Sequence, residues 1–319
     1  MDLYIGVDVG SVSTNIVAVT QDGEVQFDQY IRTGGQPIQS VKNGFAELKK
    51  TLDGRGFIIK AVGATGSGRQ LIGLVIGVDV VKNEITAHAT AATYFHPEVR
   101  TIFEIGGQDS KIIMLQDGIV TDFSMNTVCA AGTGSFLDHQ AERLGVPISE
   151  FGSQALKAKK SVRIAGRCTV FAESDMIAKQ QYGFSKPEII KGLCEALVRN
   201  YINNLGRGKD LRPPFIFQGG VSANQGIVRA FEDAIGCEIT IPRYANVMGA
   251  IGVALLAKAE VEKTGKNTNF KGFEIVDMDV VPTSFECISC SNNCEVVKVE
   301  IDGEVAAMWG DRCGMWSAG

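Results

Sequence analysis

An α/β protein of two related halves, with a small cysteine-rich C-terminal extension, is predicted by three observations. A strand–turn–strand unit opens the chain at residues 3–32 and returns at residues 100–126. Short apolar strands that end in glycine turns alternate with segments of helical period, the pattern of α/β folds. Four cysteines, Cys287, Cys290, Cys294 and Cys313, crowd the end of the chain.

The composition allows this architecture and narrows the function. A chain of 319 residues, 45% hydrophobic and 21% charged, is ordinary globular material and long enough for two domains. Lys and Arg total 31 against 36 Asp and Glu, a net charge of −5 with no basic run. Nucleic acid and anionic membrane are therefore not expected as partners. The opening MDLYIGVDVG enters a strand pattern directly, without the basic and apolar regions of a secretory leader. The longest apolar run, Val247–Ala257, is too short to span a bilayer. A cytoplasmic protein is expected, and in a reducing compartment clustered cysteines indicate metal or redox chemistry rather than disulfides.

Taken in order, LYIGVDVG, SVSTNIVAVT and QDGEVQFDQYIRT form a β-meander with turns at Gly10-Ser11 and Asp22-Gly23. A helix is expected over Pro37–Leu52, a buried strand at FIIKAVGATG, and a helix at VKNEITAHATAATYF. Glu84 and His88, four apart on that helix, are expected to form a structural pair. The second meander, RTIFEIGGQDSKIIMLQDGIVTDFSMN, carries a hairpin turn at Asp117-Gly118. In SKPEIIKGLCEALVRNYINNL, Ser185 and Glu188 make a capping box, and Ile190, Leu193, Leu197 and Tyr201 line one helical face. PPFIFQGGVSAN reads as a strand ending in Gly-Gly, Met248–Ala259 as a buried helix, and Lys263–Gly272 as a polar linker.

The chemistry lies in the turns. GVDVGSVST, EIGGQDSK and FQGGVSAN each end an apolar strand in glycines, where backbone can approach a phosphate or a base. Asp8 lies in the first strand, with Ser11, Ser13 and Thr14 beyond its turn; Gln108 and Asp109 follow Gly106 and Gly107. One carboxylate from each half suits a hydrated Mg²⁺ against the phosphates of a nucleotide. GATGSGRQ lacks the P-loop lysine, so that class of ATPase is excluded. Cys129 precedes a Gly-Thr-Gly turn (Gly132, Gly134) that opens a helix, and Cys168 likewise comes shortly before a helix. Helix starts favour anions, including thiolates and metal–thiolate clusters. Cys194 and Cys237 read as small buried hydrophobes.

NEITAHA, RTIFEIGGQDSK, MNTVCAAGTG, CTVFAES, GGVSAN and MGAIGVALLA, in this order, resemble the activators of 2-hydroxyacyl-CoA dehydratases. These are relatives of benzoyl-CoA reductase ATPase subunits, within the actin–hexokinase superfamily. The resemblance covers about residues 3–258. It implies two ribonuclease-H-like (actin/hexokinase-type) domains around an ATP cleft. Domain I would take residues 1–98 and 243–262, domain II residues 99–242, and the cysteine-rich extension residues 273–319. It implies a homodimer that shares one [4Fe–4S] cluster and couples hydrolysis of ATP to ADP to electron transfer. The donor would be a ferredoxin or flavodoxin, and the acceptor an iron–sulfur protein. Cys129 and Cys168 would ligate the cluster. A cubane usually takes four thiolates, and a two-fold axis doubles two to four.

On this reading Asp8, Asp109 and Gln108 organise Mg²⁺ and the attacking water. Gly10, Ser11, Ser13, Thr14, Gly106 and Gly107 hold phosphates, with Gly132 and Gly134 in the nucleotide-facing turn. Gly219 and Gly220 approach the adenosine. The chain departs from the family pattern at Asn15, where lysine is usual, at Ser67, where tyrosine is common, and at Ser135, where arginine is common. The tail spacing suits a second site, either structural zinc or a further iron–sulfur cluster. Two other readings remain open: a sugar kinase of the same superfamily, and a nucleotide-sensing regulator with a zinc-bound tail.

Overall fold

The computed structural model describes residues 1–317 and divides into two compact units. One comprises Met1–Asn83 and the chain from Gly249 onward; the other is Glu84–Met248.

The first unit opens with the expected meander, β1 (Asp2–Val9), β2 (Ser13–Thr20) and β3 (Val25–Arg32). β1 and β2 are buried almost throughout, as their continuous apolar runs require, whereas β3 alternates half-buried with exposed residues along an edge. α1 (Pro37–Leu52) starts on proline, carries Lys49 and Lys50 in its last turn, and buries Val41, Phe45, Leu48 and Leu52 along one stripe. β4 (Ile58–Thr65), α2 (Arg69–Ile76) and the two-residue β5 (Val80–Val81) complete a sheet of order β3-β2-β1-β4-β5, with β4 and β5 parallel to β1.

The second unit begins at α3 (Glu84–Phe95). The sequence placed this helix with the first domain, but two buried side-chain contacts described below tie it to the second. β6 (Thr101–Ile105), β7 (Ser110–Gln116) and β8 (Ile119–Asn126) repeat the meander, with Asp117 (φ 52°) and Gly118 (φ 77°) at its hairpin. Then come α4 (Gly134–Leu144), α5 (Ile148–Leu156), α6 (Thr169–Gln181) and α7 (Lys186–Tyr201). The Glu188 carboxylate accepts hydrogen bonds from the Ser185 N–H (3.0 Å) and hydroxyl (2.9 Å), completing the start of α7. β9 (Phe215–Gln218) and α8 (Gln225–Ile235) finish the unit. Its sheet, β8-β7-β6-β9, has β9 parallel to β6. That order matches β3-β2-β1-β4, so the two halves share a topology. Phe103, Phe215, Phe217, Phe231 and Tyr201 pack as a ring cluster in its core.

The chain returns to the first unit through α9 (Met248–Thr264). Gly6 and Gly63 sit opposite each other on β1 and β4, and α9 lies on both. A Cβ on Gly6 would come 1.8 Å from the Ala250 carbonyl, and one on Gly63 2.5 Å from that of Val253. Only glycine permits this approach. Phe270, Phe273 and Ile275 then pack against the core that holds Phe45. Beyond them β10 (Val280–Glu286), β11 (Glu295–Ile301) and β12 (Glu304–Trp309) form a separate antiparallel sheet in that order. No helix among the described residues is long and apolar enough to cross a membrane.

Candidate functional site

In the first unit the β1–β2 turn is closed by the Gly10 N–H donating to the Ser13 carbonyl (2.8 Å). Ser11 is exposed and Ser13 half-buried. Thr14 is fully buried, its hydroxyl 3.1 Å from that of Thr33, which donates to the Gly10 carbonyl (3.0 Å). Thr14 therefore braces the turn from inside, and the outward hydroxyls are those of Ser11 and Ser13. Half-buried Asp8 stands opposite Asn15 on β2 and Thr65 on β4, so the three share one face of the sheet. Buried Asn15 Oδ1 and Thr65 Oγ1 have no hydrogen-bond partner among the described residues. Two orphaned oxygens beside a carboxylate are the donor set that Mg²⁺ or its water shell accepts, so the residues fit that ion. The Ser67 hydroxyl donates to the Val9 carbonyl (3.3 Å).

In the second unit three glycine turns meet. The Gly106 N–H donates to the Asp109 carbonyl (3.0 Å), shaping the β6–β7 turn. The first residues of α4 clasp this turn: the Gly134 N–H donates to the Gly106 carbonyl (2.9 Å), and the Ser135 N–H (2.8 Å) and hydroxyl (2.5 Å) to the Gly107 carbonyl. Ser135 thus fastens the loop. Gly219, at φ 88°, follows β9, and a Cβ there would come 2.5 Å from the Ile105 carbonyl. Gly220 and Gln108 are exposed, and Asp109 is half-buried.

Beneath Asp109 lies a charged cluster that sequence reasoning missed. Lys111 Nζ is 2.6 Å from Glu84, 2.8 Å from Asp109 and 3.1 Å from Glu104. Three carboxylates keep Lys111 cationic despite burial. Burial in turn pushes the Glu104 carboxyl up to about 8; Asp109 and Glu84 add to the effect and Lys111 opposes it. The Tyr201 hydroxyl donates to the Lys111 carbonyl (2.5 Å). One turn along α3 from Glu84, His88 Nδ1 accepts from the Gln218 amide at 2.9 Å. Burial, reinforced by Lys111, lowers the His88 pKa to about 3, so the ring is neutral. These two contacts carry α3 into the second unit. The sequence signal was the pair Glu104 and Lys111, charged residues within otherwise apolar buried strands.

Cys129 and Cys168 both stand immediately before a helical turn, Cys129 before Ala130–Gly132 and α4, Cys168 before α6. Asn126 fixes the first: its Oδ1 accepts from the Cys129 N–H (2.9 Å) and its amide donates to the Cys129 carbonyl (2.7 Å). Asn200 on α7 touches both segments. Its amide donates to the Gly166 carbonyl (2.5 Å), and a Cβ on Gly132 would come 3.0 Å from its Oδ1. Cys129 Sγ lies 4.0 Å from the carbonyl of Arg167, the residue before Cys168. Both thiols are free and half-exposed. Val128 (95% exposed), Val170 (65%) and Phe171 (66%) put an apolar surface around them. Two fixed, accessible thiols in an apolar surface fit half the ligand set of a cubane cluster. Cys194 is buried, as expected, and Cys237 is half-buried. In the tail Cys287 is buried, Cys294 half-buried, and Cys290 and Cys313 exposed; all four are free. Among the described residues no three His, Cys, Asp or Glu side chains are gathered as a metal site.

The sequence model described as the BadF/BadG/BcrA/BcrD ATPase family matches residues 5–257. The (R)-2-hydroxyglutaryl-CoA dehydratase activating ATPase of Acidaminococcus fermentans is 33% identical over 270 residues, which cover 82% of this chain and 100% of the relative. The 2-hydroxyisocaproyl-CoA dehydratase activator of Clostridioides difficile is 32% identical over 267 residues, 82% of this chain and 97% of the relative. The solved activator of 2-hydroxyisocaproyl-CoA dehydratase from Clostridium difficile, with bound ADPNP, superposes with a TM-score of 0.76 at 31% identity, covering 82% of this chain and 97% of its own.

Proposed function

The chain belongs to the BadF/BadG/BcrA/BcrD ATPase family, and from that premise we propose that it is an ATP-hydrolysing reductive activator. It would drive a low-potential electron from a [4Fe–4S] cluster shared by two copies of the chain onto a partner iron–sulfur enzyme. The relatives' names support ATP-driven activation of a dehydratase or reductase component. The observation that carries the finer reading is the pair Cys129 and Cys168, free, half-exposed and braced through Asn126 and Asn200.

Each residue then has a definite task. Asp8, with Asn15 Oδ1 and Thr65 Oγ1 beside it, would hold Mg²⁺ or its waters. Asp109, kept in place by Lys111, would orient the attacking water with Gln108. The Gly10–Ser13 turn and the Gly106-Gly107 turn would present N–H groups and hydroxyls to the phosphates. Gly219 and Gly220 would approach the adenosine. Cys129 and Cys168 would each offer a thiolate at a helix start, where the backbone dipole favours negative charge. A cluster bound there would supply a one-electron donor of very negative potential. Because Ser135 joins α4 to the Gly106-Gly107 turn, a shift of that turn on nucleotide binding would pass to the helix that follows Cys129. The acceptor would be a 2-hydroxyacyl-CoA dehydratase or a related reductase component, and the donor a ferredoxin or flavodoxin.

The test is Cys129→Ser in protein purified without oxygen. ATP analogue affinity should stay within about twofold of wild type while iron is lost and ATP-dependent reduction of the acceptor stops. Wild-type iron content in this variant would remove the assignment.

A further inference from the structure

The family match ends at residue 257, and the Acidaminococcus relative is matched over its whole length within 82% of this chain. The sheet β10-β11-β12 and its four cysteines therefore lie beyond what the activator reading uses. We propose that this extension is a zinc module in which Cys287, Cys290, Cys294 and Cys313 hold one ion as a tetrahedral thiolate site.

The fold brings the two cysteine-bearing loops to one end of the sheet. Glu286 pairs with Glu295 across β10 and β11, and the ladder continues to Cys287, whose N–H donates to the Cys294 carbonyl (2.8 Å). Between them a tight turn returns the chain, with the Asn293 N–H donating to the Cys290 carbonyl (3.3 Å) and Asn293 at φ 44°. Three cysteines thus flank or lie within one hairpin loop. The fourth arrives from β12, whose Trp309 pairs with Val297 and whose chain then turns at the Glu295 end. There Gly310 packs so closely that a Cβ would come 2.4 Å from the Glu295 carbonyl. The segment that follows folds back onto the first loop. The Trp316 indole N–H donates to Cys287 Sγ (3.3 Å), and its ring sits edge-on to Phe285 at 5.0 Å. Asp311 accepts from the Trp316 N–H (3.0 Å) and lies 3.7 Å from Cys313 Sγ. An N–H donated to a thiolate is the outer-shell contact that metal–thiolate sites use.

A second observation is that the sheet needs a staple. Of its three strands only Val296 and Val299 are buried side chains; β10 is largely exposed and β12 is half-buried at best. A three-stranded sheet with so little buried surface gains stability chiefly from a cross-link or an ion. Zinc suits it better than a cluster, because Cys290, Cys313 and Ile288 are exposed and little apolar structure is present to shield iron and sulfide from water. The side chains are not gathered into a site. What the fold supplies is the juxtaposition of loops, which the ion would close as it binds.

The test is metal content of the full chain, purified without oxygen, beside a Cys290→Ser/Cys313→Ser double variant that alters only exposed thiols. The expected result is about one zinc per chain in the wild type and less than about a tenth in the variant, with iron unchanged. Cobalt exchanged into the wild type should show thiolate-to-cobalt charge-transfer and tetrahedral bands that the variant lacks. Should the variant fold poorly, chelation of zinc from the wild type should speed amide exchange across residues 280–309 and leave residues 1–264 unchanged. Absence of zinc from the wild type, zinc retained in the folded variant, loss of iron instead of zinc, or exchange unaltered by chelation would each overturn the proposal. None of these bears on Cys129 or Cys168, so the activator reading is tested separately.

Discussion

Lys111 places its ammonium 2.8 Å from the Asp109 carboxylate although only 1% of the lysine is exposed. One buried cation faces three carboxylates, and the surplus negative charge is relieved by a proton that Glu104 retains up to about pH 8. Lys111 therefore orients Asp109 and is itself fixed by Glu84 and Glu104.

Replacing Lys111 by Met should cost about 3–5 kcal/mol in chemical denaturation, because buried carboxylates lose their counter-charge. Glu104→Gln should cost under about 1.5 kcal/mol at pH 7, since a protonated carboxyl and an amide are close in shape and charge. Equal losses from the two variants would contradict the assigned proton.

His88 should dominate the acid side of stability. It is neutral in the fold down to about pH 3, while the unfolded ring protonates near 6.5. The unfolded state thus binds more protons between these values. The His88 contribution is complete above pH 6.5 and fades as pH falls towards 3, at up to about 1.4 kcal/mol per pH unit. His88→Gln should flatten that slope in urea titrations at pH 4 to 6; an unchanged slope would mean His88 is not the group responsible.

Asp109→Asn should lower ATP turnover by roughly 10²–10⁴-fold with nucleotide affinity nearly kept. Asp8→Asn should raise the Mg²⁺ concentration needed for half-maximal turnover. Stopped assays of ADP release across a magnesium series separate the two roles, and identical behaviour of the variants would refute the division.

Gly6→Val should fail to fold or lose upwards of about 3 kcal/mol, because its Cβ would overlap the Ala250 carbonyl on α9. Thermal melting at wild-type values would show that α9 does not lie where the structure has it.

Much of this was legible in the sequence. Strand meanders, the hairpin dipeptide Asp117-Gly118 and the α7 capping box are local signals, and each is in place. The glycine turns and the two helix-start cysteines were visible for the same reason. The Lys111 cluster was not, because its four members come from α3, β6, the β6–β7 turn and β7, and only the fold brings them together. The spacing of Glu84 and His88 shows that both lie on one helix face, but their contacts with neighbouring strands are set by the fold alone. Thr14 was expected to offer its hydroxyl to a phosphate with Ser11 and Ser13, whereas β2 is buried on both faces from Thr14 onward and that hydroxyl lies against Thr33. In the tail the cysteine spacing was plain, but only the pairing of β11 with β12 shows that Cys313 returns to the loop carrying the other three.

The most direct measurement is iron and acid-labile sulfide per two chains in wild-type protein purified without oxygen, repeated for Cys168→Ser. The account predicts about four of each in the wild type and almost none in the variant. A wild type without iron, or a Cys168→Ser variant that keeps it, would contradict the claim that Cys129 and Cys168 share one cluster between two chains.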